Sequence, residues 1–283
     1  MQADARSTVI LESNTEERNL VDDKFTIFLI FATMKTAIII GATSGIGRAL
    51  AVRMAKEGWA LGVAGRRGER LEALAAEFPD ATIHTQVLDI TKPDATEALD
   101  ALLSKTGAPD LFVHVSGIGH QNKELEESIE VRTMDTNCTG MVRTVTHFVN
   151  YVKTSGAYSA ANKAHIGVVT SVSAVKGMGT AASYSSSKIM QAAYLSALSQ
   201  LARMEKLPVR FSDIRPGFVD TDLLDKNKKY PMMLTVEQSA GYIMKGLKRK
   251  RRMIIFSWPF SVITFLWRLL PRALWERMTF ISN

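Results

Sequence analysis

The sequence contains a single cysteine, Cys138, among 283 residues, which excludes an internal disulfide framework. A lone cysteine is typical of a reducing compartment, so we expect a cytoplasmic protein. Long hydrophobic runs are also missing. The apolar run at residues 25–32 is shorter than the ~20 residues that a transmembrane helix needs. No repeat with a period of about 20 to 50 residues is present, which excludes solenoid architectures.

Signatures of nucleic-acid and metal binding are absent too. The chain has no zinc motif, no RNA-binding signature and no alternation of aromatic and basic residues, so we predict neither kind of site. The formal charge is +7, and much of the excess lies within residues 245–252. A solvated helix end explains this cluster best, because cations suit the negative end of a helix dipole. An anionic membrane surface is the second interpretation.

The pattern along the chain indicates three segments. Residues 1–33 begin polar and acidic, which does not fit a secretory signal. We interpret them as an extension outside the fold that precedes a natural start at Met34, with a membrane anchor as the minority alternative. Residues 34–256 form the predicted folded domain, and residues 257–283 form a hydrophobic and basic tail.

Within the domain, apolar strands alternate with amphipathic helices. Strands are predicted at residues 36–40, 60–64, 82–88, 111–115, 164–171, 209–214 and 253–256. Helices are predicted at residues 48–57, 69–77, 94–104, 126–152 (as one helix or two), 184–206 and 236–248. This alternation predicts an α/β doubly wound fold of Rossmann type, a parallel sheet of about seven strands with helices on both faces.

A glycine-rich turn joins the first strand to a helix. It contains Gly41, Thr43, Ser44, Gly45, Ile46 and Gly47. Small residues let the backbone approach a pyrophosphate closely, and the helix N-terminus offers free N–H groups and a positive dipole end. The context of strand, turn and helix favours a dinucleotide site over an ordinary βα turn.

Tyr184 and Lys188 lie four residues apart on a predicted helix, so their side chains share one face. A neighbouring ammonium favours the phenolate, so we expect Lys188 to lower the pKa of Tyr184 from its usual value near ~10. A tyrosine tuned in this way can exchange a proton with an alcohol or carbonyl oxygen. Ser171 follows the fifth strand, at the sheet edge where ligands bind, and its hydroxyl can stabilise charge on that oxygen. Ser173 is the alternative to Ser171.

The G-x-x-x-G-x-G turn and the Tyr184–Lys188 pair together resemble the short-chain dehydrogenase/reductase superfamily, in its compact single-domain branch. The resemblance covers residues 35–256. It implies hydride transfer between a nicotinamide cofactor and a small carbonyl or alcohol substrate. It assigns proton transfer to Tyr184, ribose binding to Lys188, oxygen stabilisation to Ser171 and a water relay to Asn137. We also predict a homodimer or a homotetramer.

The resemblance implies further cofactor contacts by Asp89, Ile90, Ser116, Gly117, Pro216, Gly217, Val219 and Thr221. For Asp89, a local capping role carries equal weight. Two departures stand out. Ile40 replaces the family's usual threonine before the first glycine, and His114-Val115-Ser116-Gly117 replaces its N-N-A-G segment. We interpret His114 as a strand histidine satisfied by a neighbour rather than as a base.

The end of the second strand indicates the cofactor. An acidic residue there would bind both ribose hydroxyls and select NAD. Arg66 and Arg67 stand there instead, and guanidinium groups can hold a 2′-phosphate through charge-assisted hydrogen bonds. We therefore predict NADP(H) in preference to NAD(H). The alternative is that both arginines are surface charge alone.

The substrate stays open at this stage. Leu223, Leu224, Met232 and Met233 predict an apolar lid over a lipid-like carbonyl, a steroid or a small ketone. Lysines in the same loop point instead to mobility or to an acidic substrate. The tail is too interrupted by proline and arginine to span a bilayer. It packs on the domain or on a second subunit, which we favour slightly, or it lies on a membrane surface.

Three functions compete. The leading hypothesis is an NADP(H)-dependent oxidoreductase. The second is a catalytically silent, NADP(H)-binding redox sensor, although such relatives usually lose the tyrosine or the lysine that this chain keeps. The third is a sugar-nucleotide epimerase or dehydratase, which usually carries a larger C-terminal domain and a different glycine spacing.

Overall fold

The computed structural model describes residues 34–224 and 229–279. The predictions for residues 1–33, an extension or a membrane anchor, lie outside these ranges. Residues 225–228, within the predicted lid, and residues 280–283 lie outside them as well. The division of the chain after residues 33 and 256 stays a prediction.

A single parallel sheet organises the domain. Its seven strands are β1 (Thr36–Ile40), β2 (Ala60–Gly65), β3 (Ile83–Val87), β4 (Leu111–His114), β5 (Ala164–Val169), β6 (Val209–Arg215) and β7 (Met253–Ile255). They lie in the order β3-β2-β1-β4-β5-β6-β7, and all neighbours pair in parallel. The strand order reverses between β1 and β4, and open sheets of this kind bind ligands outside the carboxyl ends of their strands. The predicted fold is confirmed.

Helices cover both faces of the sheet. They are α1 (Gly45–Lys56), α2 (Gly68–Ala76), α3 (Ala95–Thr106), α4 (Glu127–Met134), α5 (Gly140–Thr154), α6 (Ala182–Met204), α7 (Val236–Lys248), α8 (Trp258–Leu269) and α9 (Arg272–Glu276). One core includes Leu50 of α1 and Ile243 of α7. The other includes Leu99 of α3 and Phe148 of α5, whose ring stacks on Phe112 of β4 at 4.5 Å. Full burial of such side chains contributes about 1.5–3 kcal/mol each.

The region predicted as one helix or two is continuous but irregular. A π-helical turn at Asp135–Thr139 joins α4 to α5, and Asn137 lies buried within it. Such turns are found frequently at functional sites because the extra residue changes the direction in which side chains project.

The tail forms α8 and α9 and packs on the domain along one side. Phe260 and Thr264 of α8 are buried. Trp275 of α9 donates from Nε1 to the carbonyl oxygen of Gly177 at 2.7 Å. Lys176 donates from Nζ to the carbonyl oxygen of Leu270 at 2.9 Å. The prediction of packing on the domain is confirmed for this side. Within the described ranges, no helix combines the length and the apolar character needed to cross a bilayer.

Candidate active site

The glycine turn after β1 leaves a cradle of bare backbone. A Cβ added to Gly47 would overlap the carbonyl oxygen of Gly41, and one added to Gly41 would lie 2.7 Å from the Ser116 nitrogen. Gly41 also has a φ of +98°, which side chains rarely tolerate. Helix α1 begins in this cradle at Gly45. Its N-terminus has no side-chain cap and no acidic residue in the first turn, so its N–H groups suit an anion.

Arg67 lies against this cradle. Its Nη2 donates to Thr43 Oγ1 at 2.7 Å and to Ser44 Oγ at 2.8 Å. The neighbouring Arg66 is exposed. Both arginines therefore follow the end of β2, and the Arg67 guanidinium lies next to the glycine turn. A phosphate at this point would meet two positive charges and no competing carboxylate from β2.

Asp89 and Ile90 follow β3 at the same edge of the sheet. Asp89 Oδ1 accepts from the Thr91 nitrogen at 3.0 Å and from Thr91 Oγ1 at 2.8 Å, which supports the local capping role. Burial raises the Asp89 pKa, but the Thr91 hydrogen bonds and the charge of Arg66 lower it by more, so the net shift is downward. Ile90 is buried, and its carbonyl oxygen accepts from Arg143 Nη1 at 2.5 Å.

Asn137 ties the loop after β4 to helix α6. Its Oδ1 accepts from the Ile118 nitrogen, and its Nδ2 donates to the Ile118 carbonyl oxygen, each at 2.8 Å. Nδ2 also donates to Ser187 Oγ at 2.9 Å. A Cβ added to Gly117 would lie 3.1 Å from Asn137 Oδ1 and 3.4 Å from Lys188 Nζ. Gly117, Asn137 and Lys188 therefore meet, as predicted for one site.

Tyr184, Ser171 and Ser173 meet at the end of β5. Ser173 Oγ donates to Ser171 Oγ at 2.8 Å, and both hydroxyls hydrogen-bond Tyr184. The sequence left Ser171 and Ser173 as alternatives, and both contact the tyrosine. Lys188 Nζ lies 5.8 Å from the centre of the Tyr184 ring. The tyrosine and the lysine share one face of α6, as their spacing predicts.

The expected effect of Lys188 on Tyr184 is wrong. Burial raises the pKa of Tyr184, and the groups that lower it in part are the hydroxyls of Ser171 and Ser173. The Lys188 ammonium is occupied elsewhere, because Nζ donates to the Val169 carbonyl oxygen and to Gln191 Oε1, each at 3.1 Å. Burial also lowers the pKa of Lys188 to about 8, against smaller upward effects of Cys138 and Asp213.

Gln191 is a site residue that sequence reasoning missed. It is fully buried, and its Nε2 donates to the Asn137 carbonyl oxygen at 2.6 Å while its Oε1 accepts from Lys188. Gln191 thus bridges the two residues that the predicted water relay would join. The Asn137 carbonyl oxygen keeps a second lone pair for another donor. A signal was available, because a polar residue three positions after Lys188 lies on the same buried face of the helix.

The segment after β6 closes the site from the other side. The Pro216 carbonyl oxygen accepts from the Val172 nitrogen at 3.0 Å, and Val219 is buried. A Cβ added to Gly45 would lie 3.2 Å from Thr221 Cγ2, so this segment reaches the glycine turn. The predicted residues Pro216 to Thr221 therefore lie along the same crevice as the cradle.

His114 is the last residue of β4, and its side chain is fully buried. Its Nδ1 is 3.0 Å from Thr144 Oγ1, so the prediction of a neighbour that satisfies it is confirmed for this nitrogen. Its Nε2 has no hydrogen-bond partner among the residues that the structure describes. Burial, with the charge of Lys188, lowers the His114 pKa to about 3.

The free energy of unfolding of the wild-type protein, relative to that of Lys188→Met, is expected to increase with pH once the pH exceeds about 8. The folded-state pKa of Lys188 is about 8, whereas an unfolded lysine titrates near ~10.4. Between these values the unfolded state binds more protons, so folding gains about 1.4 kcal/mol per pH unit. Below that window the lysine is charged in both states and the slope vanishes. Urea titrations of both proteins across the window measure the difference, and a pH-independent difference would contradict the assignment.

A model of the short chain dehydrogenase family matches residues 35–231, and the chain therefore belongs to the short-chain dehydrogenase/reductase family. Its members act as oxidoreductases on alcohol and carbonyl groups. An uncharacterized oxidoreductase of Myxococcus xanthus is 32% identical over 250 residues, which cover 86% of this chain and 95% of that protein.

Solved structures agree on the fold and differ in the cofactor that they contain. An alcohol dehydrogenase from the archaeon Thermococcus sibiricus, complexed with 5-hydroxy-NADP, is 28% identical with a TM-score of 0.67. That match covers 78% of this chain and 95% of the archaeal one. A short chain dehydrogenase/reductase from Burkholderia phymatum, in complex with NAD, has a TM-score of 0.70 at 20% identity, covering 82% and 92% of the two chains.

Proposed function

We propose that the protein is an NADP(H)-dependent oxidoreductase that uses Tyr184 as the proton donor or acceptor for a carbonyl or alcohol substrate. The observation that carries this proposal is the meeting of Tyr184, Ser171 and Ser173 beside Lys188, at the sheet edge that also holds the glycine cradle. An acid–base group next to a dinucleotide cradle suits hydride transfer, because the proton and the hydride go to adjacent atoms.

The residues around the crevice suit each part of NADP(H). The cradle and the start of α1 would hold the pyrophosphate. Arg66 and Arg67 would hold the 2′-phosphate, and Asp89, Ile90, Ser116 and Gly117 would border the adenosine half. Lys188, with Pro216, Gly217, Val219 and Thr221, would border the nicotinamide half. The nicotinamide, when bound, supplies or accepts the hydride.

Tyr184 is suited to the proton step in the direction of reduction. Because burial raises its pKa, the phenol is protonated at neutral pH and ready to donate to a carbonyl oxygen. Each serine hydroxyl has one proton to donate, so one of the two can stabilise the phenolate that remains while Ser171 donates to the substrate oxygen. With a pKa of about 8, Lys188 is largely charged near neutral pH and adds positive potential at the site.

The loop after Thr221 favours an apolar small molecule as the substrate. A Cβ added to Gly119 would lie 2.6 Å from the Tyr184 ring and 3.3 Å from the Leu223 side chain, so this leucine lies next to the tyrosine. Leu223, Met232 and Met233 are exposed large hydrophobic residues. Methionine adapts to irregular shapes, which suits a lid over an apolar carbonyl compound.

We also propose a homodimer or homotetramer in the cytoplasm. The adjacent helices α4 and α6 expose Val131, Met134, Leu201 and Met204, which would suit a subunit interface. The single cysteine, Cys138, is free and buried, in keeping with a reducing compartment.

The consumption of NADPH in the presence of ketones, aldehydes and steroids tests the proposed function. We expect turnover of at least one apolar carbonyl compound, faster with NADPH than with NADH at equal subsaturating concentrations. Cofactor binding measured in parallel, by the fluorescence of NADPH, separates the outcomes. Tight NADPH binding without turnover of any compound would favour the silent redox sensor.

A further inference from the structure

Helix α8 carries an exposed apolar stripe opposite the side that packs on the domain. The stripe consists of Trp258, Val262, Phe265, Leu266 and Leu269, all exposed. Their spacing places them along one face of a helix. On the packed side, the Phe260 ring lies where a side chain on Gly217 would be. The stripe is therefore an apolar surface on a helix that the domain holds in place.

Helix α8 contacts, through its packed side, the segment that leads into the predicted lid. The Phe218 ring lies 6.2 Å from the ring of Phe260 and 4.9 Å from that of Tyr230. It thus connects α8 to the predicted lid, where Met232 and Met233 are exposed. Exposed apolar side chains therefore occur both on α8 and on the lid that its packed side adjoins.

Positive charge borders the stripe. Arg268, Arg272 and Arg277 are exposed, and Glu276 is the one acidic residue within residues 258–279. That carboxylate pairs with Arg272 at 2.6 Å. A second copy docked by the same face would bring arginines together around a two-fold axis, which opposes self-association. An anionic surface would complement this charge.

The shape and composition of α8 suit the boundary between lipid and water. The helix has 12 residues, or about 18 Å at 1.5 Å per residue, which is too short to span a bilayer but long enough to lie in its plane. Trp258 is exposed at its start, and the rings of Trp267 and Trp275 pack at 5.3 Å near its end. Tryptophan is enriched at membrane interfaces.

We propose that the α8 stripe docks on an anionic phospholipid surface, which brings the adjoining lid close to the lipid. The docking depends on the stripe and its arginines and is independent of catalysis. It also implies that the substrate is an apolar carbonyl compound dissolved in the membrane, and this part rests on the proposed function.

The full chain with Phe265→Ser and Leu269→Ser tests the docking, since these side chains are 60% and 65% exposed and lie outside the two cores. Val87→Ser, at a valine on β3 that is 57% exposed and lies outside the proposed subunit interface, is the matched control. Co-sedimentation uses vesicles of phosphatidylcholine alone, or of phosphatidylcholine and phosphatidylglycerol in equal parts. We expect wild type and control to bind the anionic vesicles, and the α8 double variant to bind about tenfold more weakly.

Tryptophan fluorescence locates the contact, because three of the four tryptophans lie in α8 and α9 or at their ends. Brominated phosphatidylcholine in the anionic vesicles should quench the wild type and not the α8 double variant. Each of three results would overturn the proposal. They are equal binding by the double variant, equal binding to neutral vesicles, and loss of binding on replacing Phe28 and Ile30 with serine in the run at residues 25–32.

Light scattering without vesicles tests whether a second copy of this chain, rather than lipid, covers the α8 stripe. If the wild type is a larger oligomer than the α8 double variant, the stripe is a subunit interface and the lipid proposal fails. Equal masses for both proteins support it. None of these measurements needs turnover, so a failure of docking is distinguishable from a failure of the proposed enzyme activity.

Discussion

Replacement of Tyr184 with phenylalanine is expected to lower kcat for NADPH-dependent carbonyl reduction by roughly 10²- to 10⁴-fold, the usual contribution of a general acid. The phenylalanine ring keeps the packing against Gly119, where the Tyr184 ring lies in close contact. What is lost is the hydroxyl that Ser171 and Ser173 contact. The loss should therefore appear in kcat, while the affinity for NADPH changes little.

A matched control lies on the same helix. Tyr194 also belongs to α6, and its hydroxyl is 2.6 Å from Thr146 Oγ1, away from the crevice. Tyr194→Phe should keep kcat within about threefold of the wild type, because the loss of a single neutral hydrogen bond is a stability effect of about 1 kcal/mol. Steady-state kinetics and NADPH fluorescence titrations of both variants make the comparison. Reduction by Tyr184→Phe at the wild-type rate would disprove the assignment.

Replacement of both Arg66 and Arg67 with glutamine is expected to weaken NADPH binding about 100-fold, since two charge-assisted hydrogen bonds contribute about 1.5 kcal/mol each. NADH lacks the 2′-phosphate, so its affinity should change much less. Arg67 also donates to Thr43 and Ser44, and its loss will loosen the glycine turn for both cofactors to some degree. The diagnostic quantity is therefore the ratio of the two dissociation constants.

Arg70→Gln provides the control for charge alone. Arg70 is exposed on α2, three residues after Arg67. Its replacement with glutamine should leave the ratio of the NADPH and NADH dissociation constants unchanged. Binding of both cofactors is measured by fluorescence titration at fixed ionic strength, because salt screens exposed charges. An equal loss of affinity for NADPH and NADH in the double variant would mean that the arginines support the turn and do not read the phosphate.

The sheet was predictable because its central strands are buried on both faces. The runs that became β1, β4 and β5 are apolar nearly throughout, and little else explains such runs between amphipathic helices. The glycine turn was predictable for a similar reason, since Gly41 and Gly47 leave no room for a side chain. The sequence signals for these features are local, because each strand run and the glycine spacing are read from neighbouring residues.

Features that depend on distant contacts were not predictable. The π-helical turn around Asn137 follows from packing against the loop after β4, and the periodicity of residues 126–152 does not indicate it. The shift in the Tyr184 pKa depends on how completely the fold buries the ring, and spacing to Lys188 says nothing about burial. The spacing of Gln191 from Lys188 was a usable signal, but its contact with the Asn137 carbonyl oxygen depends on how α6 packs beside the π-helical turn.

The side-chain amide of Gln191 joins Lys188 to the Asn137 carbonyl oxygen. Each end of an amide has a fixed hydrogen-bonding role. Its oxygen accepts and its nitrogen donates, so it cannot hand a proton onward without changing tautomer. A hydroxyl both donates and accepts through one oxygen. Ser171 and Ser173 have this two-way character and touch Tyr184. A proton wire to the tyrosine would therefore run through the serine pair at the end of β5, while Gln191 acts as a fixed dipole that anchors the lysine.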